Sequence, residues 1–247
     1  MLRNGNFMEE WETLDPLPEA NFLRNQRPHS WQMVWLAPGT PLYDDPNSQA
    51  TGIPECVHKL STQLPPHEQL GQPNALILDG DTTYKIFSAN ASFGATLSQT
   101  VTGLQPGSQA ILTAPIQVHL HGETDAYGAE SGVWVNGEGG WVNGSTMGDR
   151  KWYEHVVRFD VPASGTAEIV IRVKSKWAKP KDFFFDGIKL TAETADKPLP
   201  PPDDPPPPGE QTIIIQLPPG LQISEGVSSQ TGIVEVNVPA GVTIQVV

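Results

Sequence analysis

The sequence predicts an all-β protein arranged as a β-sandwich, and three observations carry that prediction. Short stretches alternate apolar and polar residues at the strand period of two, with turn residues between them. The 247 residues include 25 Pro and 23 Gly, while only 17% are charged, a balance that favours many turns. No run of Ala, Leu, Glu and Lys recurs at helical spacing.

The chain opens on a polar turn, Asn4-Gly5-Asn6, with Glu9 and Glu10 close behind. From about Pro28 to Pro73, scattered Pro, Asn, His and Gln read as a long, loop-rich excursion, and loops of that length are usually functional or packed over a core. "TTYKIFSA" then alternates as a strand, and "ATLSQTVTGLQPGSQAILTAPIQVHLHGE" reads as a strand, a Pro-Gly turn and a second, longer strand. "SGVWVNG", "KWYEHVVRFDVP", "AEIVIRVKS" and "DFFFDGIKLTAE" continue the series with turn residues between them. The proline run "DKPLPPPDDPPPPGE" marks a boundary, because consecutive prolines favour an extended strut and the acids keep it solvated. The expected organisation is therefore a sandwich over residues 1–195, a proline-rich linker over 196–210, and a small β tail over 211–247. The tail repeats a Pro-Gly strand pattern in "QLPPGLQIS" and "NVPAGVTIQ" and is too small to bury a core alone. It is expected to dock on the main domain, on a second copy in a homo-oligomer, or on a larger assembly.

A formal net charge of -13 repels a phosphate backbone, and no Lys/Arg cluster offsets it, so nucleic acid is excluded as a partner. The single Cys56 excludes an internal disulfide and a paired-cysteine metal site. No apolar stretch is long enough for membrane insertion as a helix. The first residues lack the pattern of a secretion signal. The expectation is a protein at an extracellular or virion surface, whose export signal has been removed or which leaves the cell by another route.

Three segments in order carry a family resemblance: "NGNF" near the start, "YKIFSANASFGATLSQTVTGLQPGSQAIL" in the middle, and "DFFFDGIKL" near the end. Together they resemble the carbohydrate-binding modules of families four, nine and twenty-two, within the galactose-binding-like jelly rolls, over roughly Leu2 to Leu190. The resemblance implies a jelly roll in which a structural calcium ties the first strand to the last. By position, Asn6 supplies a backbone oxygen, Asp186 a carboxylate, and Glu55 a further acid. Met8 stands where the family carries a glutamate, and its thioether is a poor ligand for a hard ion, although Glu9 is adjacent. The alternative is a calcium-free sandwich in which Asp186 accepts backbone hydrogen bonds at a strand end.

A sugar site needs flat aromatic faces for the C–H side of a pyranose and polar groups for its hydroxyls. The segment "DAYGAESGVWVNGEGGWVNG" offers Tyr127, Trp134 and Trp141 among Asn136, Asn143 and several acids, and Trp152 follows. Strand alternation puts Val133 and Val135 on one face and Trp134 on the other. The competing reading is that these tryptophans fill the core or cover its ends. His119 and His121, two apart on a strand, could hold zinc with Glu123, but polar residues on an exposed face explain the pair more economically. No nucleophile elbow, P-loop, dinucleotide fingerprint or zinc-protease helix occurs. The leading expectation is a non-catalytic glycan-binding module taking a polysaccharide. The alternative is a structural or adhesive subunit, a decoration protein of a virus particle or cell-surface assembly, docked by its tail.

Overall fold

A computed structural model describes residues 1–18 and 20–192. The linker and tail foreseen over 196–210 and 211–247 lie outside the described residues. In chain order come β1 (Trp11–Thr13), β2 (Gln26–Pro28), β3 (Gln32–Trp35), β4 (Pro41–Leu42), β5 (Asp45–Gln49) and β6 (Glu55–Leu60). The central strands are β7 (Thr82–Ser88), β8 (Phe93–Val101) and β9 (Gln109–His119), followed by β10 (Ala129–Val135) and β11 (Glu138–Asn143). A one-turn helix, α1 (Gly144–Met147), precedes β12 (Trp152–Asp160), β13 (Ala167–Ser175), β14 (Lys181–Phe185) and β15 (Lys189–Ala192).

Two antiparallel sheets form the body. One has five strands in the order β11-β10-β13-β8-β3; the other runs β12-β9-β14-β7-β6, with β15 also paired to β9. The chain passes from one sheet to the other at most connections, from β7 to β8, β9, β10 and again from β11 through β14. This alternation is the jelly-roll β-sandwich that the strand pattern and the resemblance predict. Inward residues of both sheets form one core. Leu97, Val133 and Ile171 come from the first sheet and Tyr84, Ile116 and Phe183 from the second, and all are 1% exposed or less. Phe93 meets Phe183 edge-on across the layers at 6.2 Å. Burying such side chains is worth about 1.5–3 kcal/mol each before the entropy of ordering is subtracted.

The excursion from Pro28 to Pro73 differs from its expected form, because it supplies an edge strand to each sheet, β3 to the first and β6 to the second. Both depend on distant partners: β3 pairs β8 and β6 pairs β7. The stretch between β6 and β7 packs over the outer face of the second sheet, burying Leu76 and Ile77. Two hydrogen bonds fix it there, from Trp152 Nε1 and Gln117 Nε2 to the Ala75 carbonyl at 2.8 and 3.5 Å.

The opening turn lies against the segment after β14. Ile188 N–H donates to the Gly5 carbonyl at 2.9 Å. Trp31 is a core residue stacked on Phe7 at 6.0 Å, with its indole N–H donating to the Asn4 carbonyl at 2.9 Å.

Candidate functional site

Register places the site. On the outer face of the five-stranded sheet, β8, β13, β10 and β11 bring Gly94, Lys174, Glu130 and Asn143 into one row. The next row is Thr96, Arg172, Gly132 and Trp141, and the third is Ser98, Val170, Trp134 and Gly139. On β8, β10 and β13 the alternating residues between these rows point inward and are buried. Neighbouring outward side chains from adjacent strands thus stand side by side.

Trp134 and Trp141 form the centre of this face, with ring centroids 5.0 Å apart and planes at 81°. Such an edge-to-face pair is worth about 0.5–1.5 kcal/mol beyond its burial. Gly132 is what lets the Trp134 indole lie down: a Cβ at Gly132 would stand 2.3 Å from the ring. Tyr43, from the turn between β4 and β5, joins from the side with its ring 5.5 Å from that of Trp141. Its hydroxyl pairs with Thr96 Oγ1 at 2.9 Å, and burial pushes its pKa up to about 12, so it stays a neutral phenol.

Two cations sit among these rings. The Arg172 guanidinium lies over Tyr43 at 5.1 Å and over Trp134 at 5.2 Å. Its Nε is buried with no hydrogen-bond partner, and among the described residues it joins no ion pair. Lys174 differs. Its ammonium stands 4.3 Å from the centre of the Trp141 ring and is held by Asp44 at 2.5 Å and Glu130 at 3.0 Å. Both carboxylates are thus engaged with one ammonium, which suits positioning better than proton transfer. A cleft of about 390 Å³ lies elsewhere, lined by Glu10, Trp11, Glu12, Arg27 and His29, but Arg27 is paired with Glu12 across it and His29 with Glu9 beside it.

Of the six residues expected to contact a ligand, the structure brings Trp134 and Trp141 together, with Asn143 in the neighbouring row of the same face. Tyr127 is 57% exposed on the loop after β9, where its N–H donates to Asp125. Asn136 is a hairpin residue with φ 51° whose Oδ1 accepts from Glu168 N–H at 2.8 Å. Asn143 caps α1, accepting from Thr146 N–H at 2.9 Å. Trp152 belongs to the other sheet and holds the Ala75 carbonyl. Tyr43, Asp44, Arg172 and Lys174 were missed. The last two are legible in "AEIVIRVKS", where alternation sets Val170, Arg172 and Lys174 on one face; the approach of the 43–44 turn has no local signal.

Of the expected calcium ligands, Glu55 lies apart from Asp186. Glu55 pairs with Phe87 and Phe87 with Asp182, so Glu55 sits four residues, about 13 Å, along the sheet from the level of Asp186. Glu55 Oε1 instead accepts from Arg24 N–H at 3.3 Å. The Asn6 side chain bonds Met8. Asp186, fully buried, accepts N–H groups from Leu78 at 2.5 Å, Asp79 at 3.0 Å and Gly187 at 2.7 Å. A carboxylate already facing three N–H donors is a poor fit to calcium, which takes six to eight oxygens. These are the backbone hydrogen bonds that the calcium-free alternative ascribes to Asp186. Nor does Glu123 join His119 and His121, because it pairs with Lys181 at 3.3 Å.

The chain matches no sequence-family description and no curated protein. Among solved structures it is similar to a family 61 carbohydrate-binding module in complex with beta-1,4-galactotriose. The identity is 16% and the TM-score 0.46, over 78% of this chain and 97% of that one. It is also similar to the enzymatically active domain of bacteriophage CBA120 tailspike protein 4, at 12% identity and a TM-score of 0.41, over 67% of this chain and 20% of that one. A third is a family 22 xylan-binding domain from Paenibacillus barcinonensis, at 11% identity and a TM-score of 0.30, over 57% and 83%. Carbohydrate-binding modules thus recur among structures that share its β-sandwich form, at likenesses too low to carry a functional argument.

Proposed function

We propose that the protein is a non-catalytic glycan-binding module and that the outer face of the five-stranded sheet is its binding surface. The observation that supports this reading is the Trp134–Trp141 pair on the outer face with the Arg172 guanidinium between aromatic rings beside it. Two indoles at right angles offer a ring face and an edge to a pyranose, while Arg172 donates to a ring or hydroxyl oxygen. Glu130 and Asp44, oriented by Lys174, accept from hydroxyl groups. The surface is largely preformed, which reduces the ordering cost of binding. Cell-wall and capsular polysaccharides lie outside cells, and with such a ligand the same proposal places the protein at an extracellular or virion surface. The structural or adhesive reading rests on the linker and tail, and nothing among the described residues favours it.

Affinity electrophoresis of the full chain through soluble polysaccharides tests the proposal. The wild type is expected to be retarded by at least one polymer. Trp134→Ala and Trp141→Ala are each expected to weaken binding at least tenfold, roughly the loss expected for truncating a central aromatic anchor. Trp152→Phe, on the opposite sheet, is expected to bind as the wild type does. Retardation by no polymer, or undiminished retardation of both alanine variants, overturns the proposal.

A further inference from the structure

We infer that His119, His121 and Asp182 form a binding site for one divalent transition-metal ion of the zinc class. The site lies at the end of β9 on the outer face of the second sheet. It shares no residue with the proposed glycan surface.

One ligand atom from each of the three side chains lies within 4.8 Å of the other two. Register and turn geometry bring them there. His119 and Asp182 are direct cross-strand partners on β9 and β14. The strand ends at His119, and His121 takes a left-handed conformation with φ 49°. The turn carries the His121 ring onto Asp182, with Nε2 2.5 Å from Oδ2. Ligand atoms on a tetrahedral zinc at 2.0–2.1 Å are separated by about 3.3 Å. The widest pair therefore has to close by about 1.5 Å, within reach of a rotation of the partly exposed His121.

Two imidazoles and a carboxylate select zinc, cobalt or nickel over calcium and magnesium, which take oxygen ligands. The set is also oriented from behind, as metal ligands are. His119 Nε2 contacts Gln117 Oε1 at 2.9 Å, and the ring packs 4.8 Å from Phe184. Lys85 holds the other oxygen of Asp182, Oδ1, at 2.7 Å and leaves Oδ2 toward the histidines. The charged groups facing the cluster are Lys85 and Arg150, which oppose a cation, and Asp149, which favours one. Metal entry replaces the His121–Asp182 hydrogen bond, and the proton on His121 Nε2 moves to Nδ1 or to solvent.

Cobalt(II) titration of the full-length protein, followed by its visible d–d absorption, tests the inference. The wild type is expected to saturate at one equivalent, and zinc is expected to displace the cobalt. His121→Ala, a change at a partly exposed turn, is expected to weaken cobalt binding at least tenfold. His67→Ala, at an exposed histidine remote from the cluster, is expected to leave it unchanged. His121→Cys is expected to retain one equivalent and to add a thiolate charge-transfer band, which separates ligation from a loss of fold. Absence of saturable binding in the wild type, equal affinity in His121→Ala, or no new band in His121→Cys overturns the inference.

Discussion

A carboxylate with no exposure to water, Asp186, accepts three backbone N–H groups and so joins the loop before β7 to the end of β14. Burial pushes its pKa up to about 7, against the downward pull of the three donors. The folded state thus holds this proton more tightly than the unfolded chain, whose aspartate titrates near 3.9. Stability from this group is greatest at acid pH, declines as pH rises from about 4 to about 7, and is least once the buried carboxylate is ionised. Asp186→Asn removes the titration. Between pH 5 and pH 8 the wild type is expected to lose about 2–3 kcal/mol of unfolding free energy relative to that variant, read from urea curves at both values. A difference that does not change with pH would show that the three donors keep the carboxylate ionised throughout. At this scale the sequence was legible where a side chain's direction follows from strand period: Trp134 faces outward as alternation requires. Asn136 and Asn143 each use the side-chain Oδ1 to hold nearby backbone, a role the sequence reading did not assign them. Asn136-Gly137 carries the left-handed signature of a two-residue hairpin, and Asn143 stands three residues before the N–H it caps.

The loop between β9 and β10 depends on one buried ion pair. Lys181 has no exposed side-chain surface and meets Glu123 Oε2 at 3.3 Å, while Glu123 Oε1 accepts from the N–H groups of Thr124 and Asp125. Burial lowers the Lys181 pKa and the Glu123 charge opposes that shift. Removing one partner leaves a charge in a dry site, which costs about 3–5 kcal/mol, whereas replacing both with apolar groups is often neutral. Glu123→Ala is accordingly expected to lower the unfolding free energy by about that amount, and Glu123→Leu with Lys181→Met to restore most of it. Additive losses in the double variant would show that the pair contributes little as a pair. The pairing also explains why Glu123 was unavailable to the histidines and why Asp182, a cross-strand neighbour about sixty positions away, takes its place. Local alternation finds strands such as β7, β9 and β13 without their neighbours. It does not find β3 and β6, whose short segments become strands only against β8 and β7.

At the level of the whole described unit, the question is what closes the sandwich at the chain's opening. Arg3 N–H donates to Gln99 Oε1 at 2.8 Å and Gln99 Nε2 returns a bond to the Arg3 carbonyl at 3.0 Å, fastening the first residues to β8. On the other sheet Ile188 N–H bonds the Gly5 carbonyl, so one short segment touches both layers. The resemblance implied that an ion makes this closure; these hydrogen bonds already link the opening segment to both layers. The closure is also tight, because a Cβ at Gly5 would stand 2.1 Å from the Ile188 carbonyl oxygen. Gly5→Ala is therefore expected to destabilise the fold by about 2–3 kcal/mol, since the contact is with backbone that has little room to yield. Saturating calcium is expected to leave the melting temperature of the wild type unchanged, because a ligand stabilises only as far as it binds the folded state. A rise of several degrees with calcium that is lost in Asp186→Asn would return the closure to a metal ion and displace the hydrogen-bonded account.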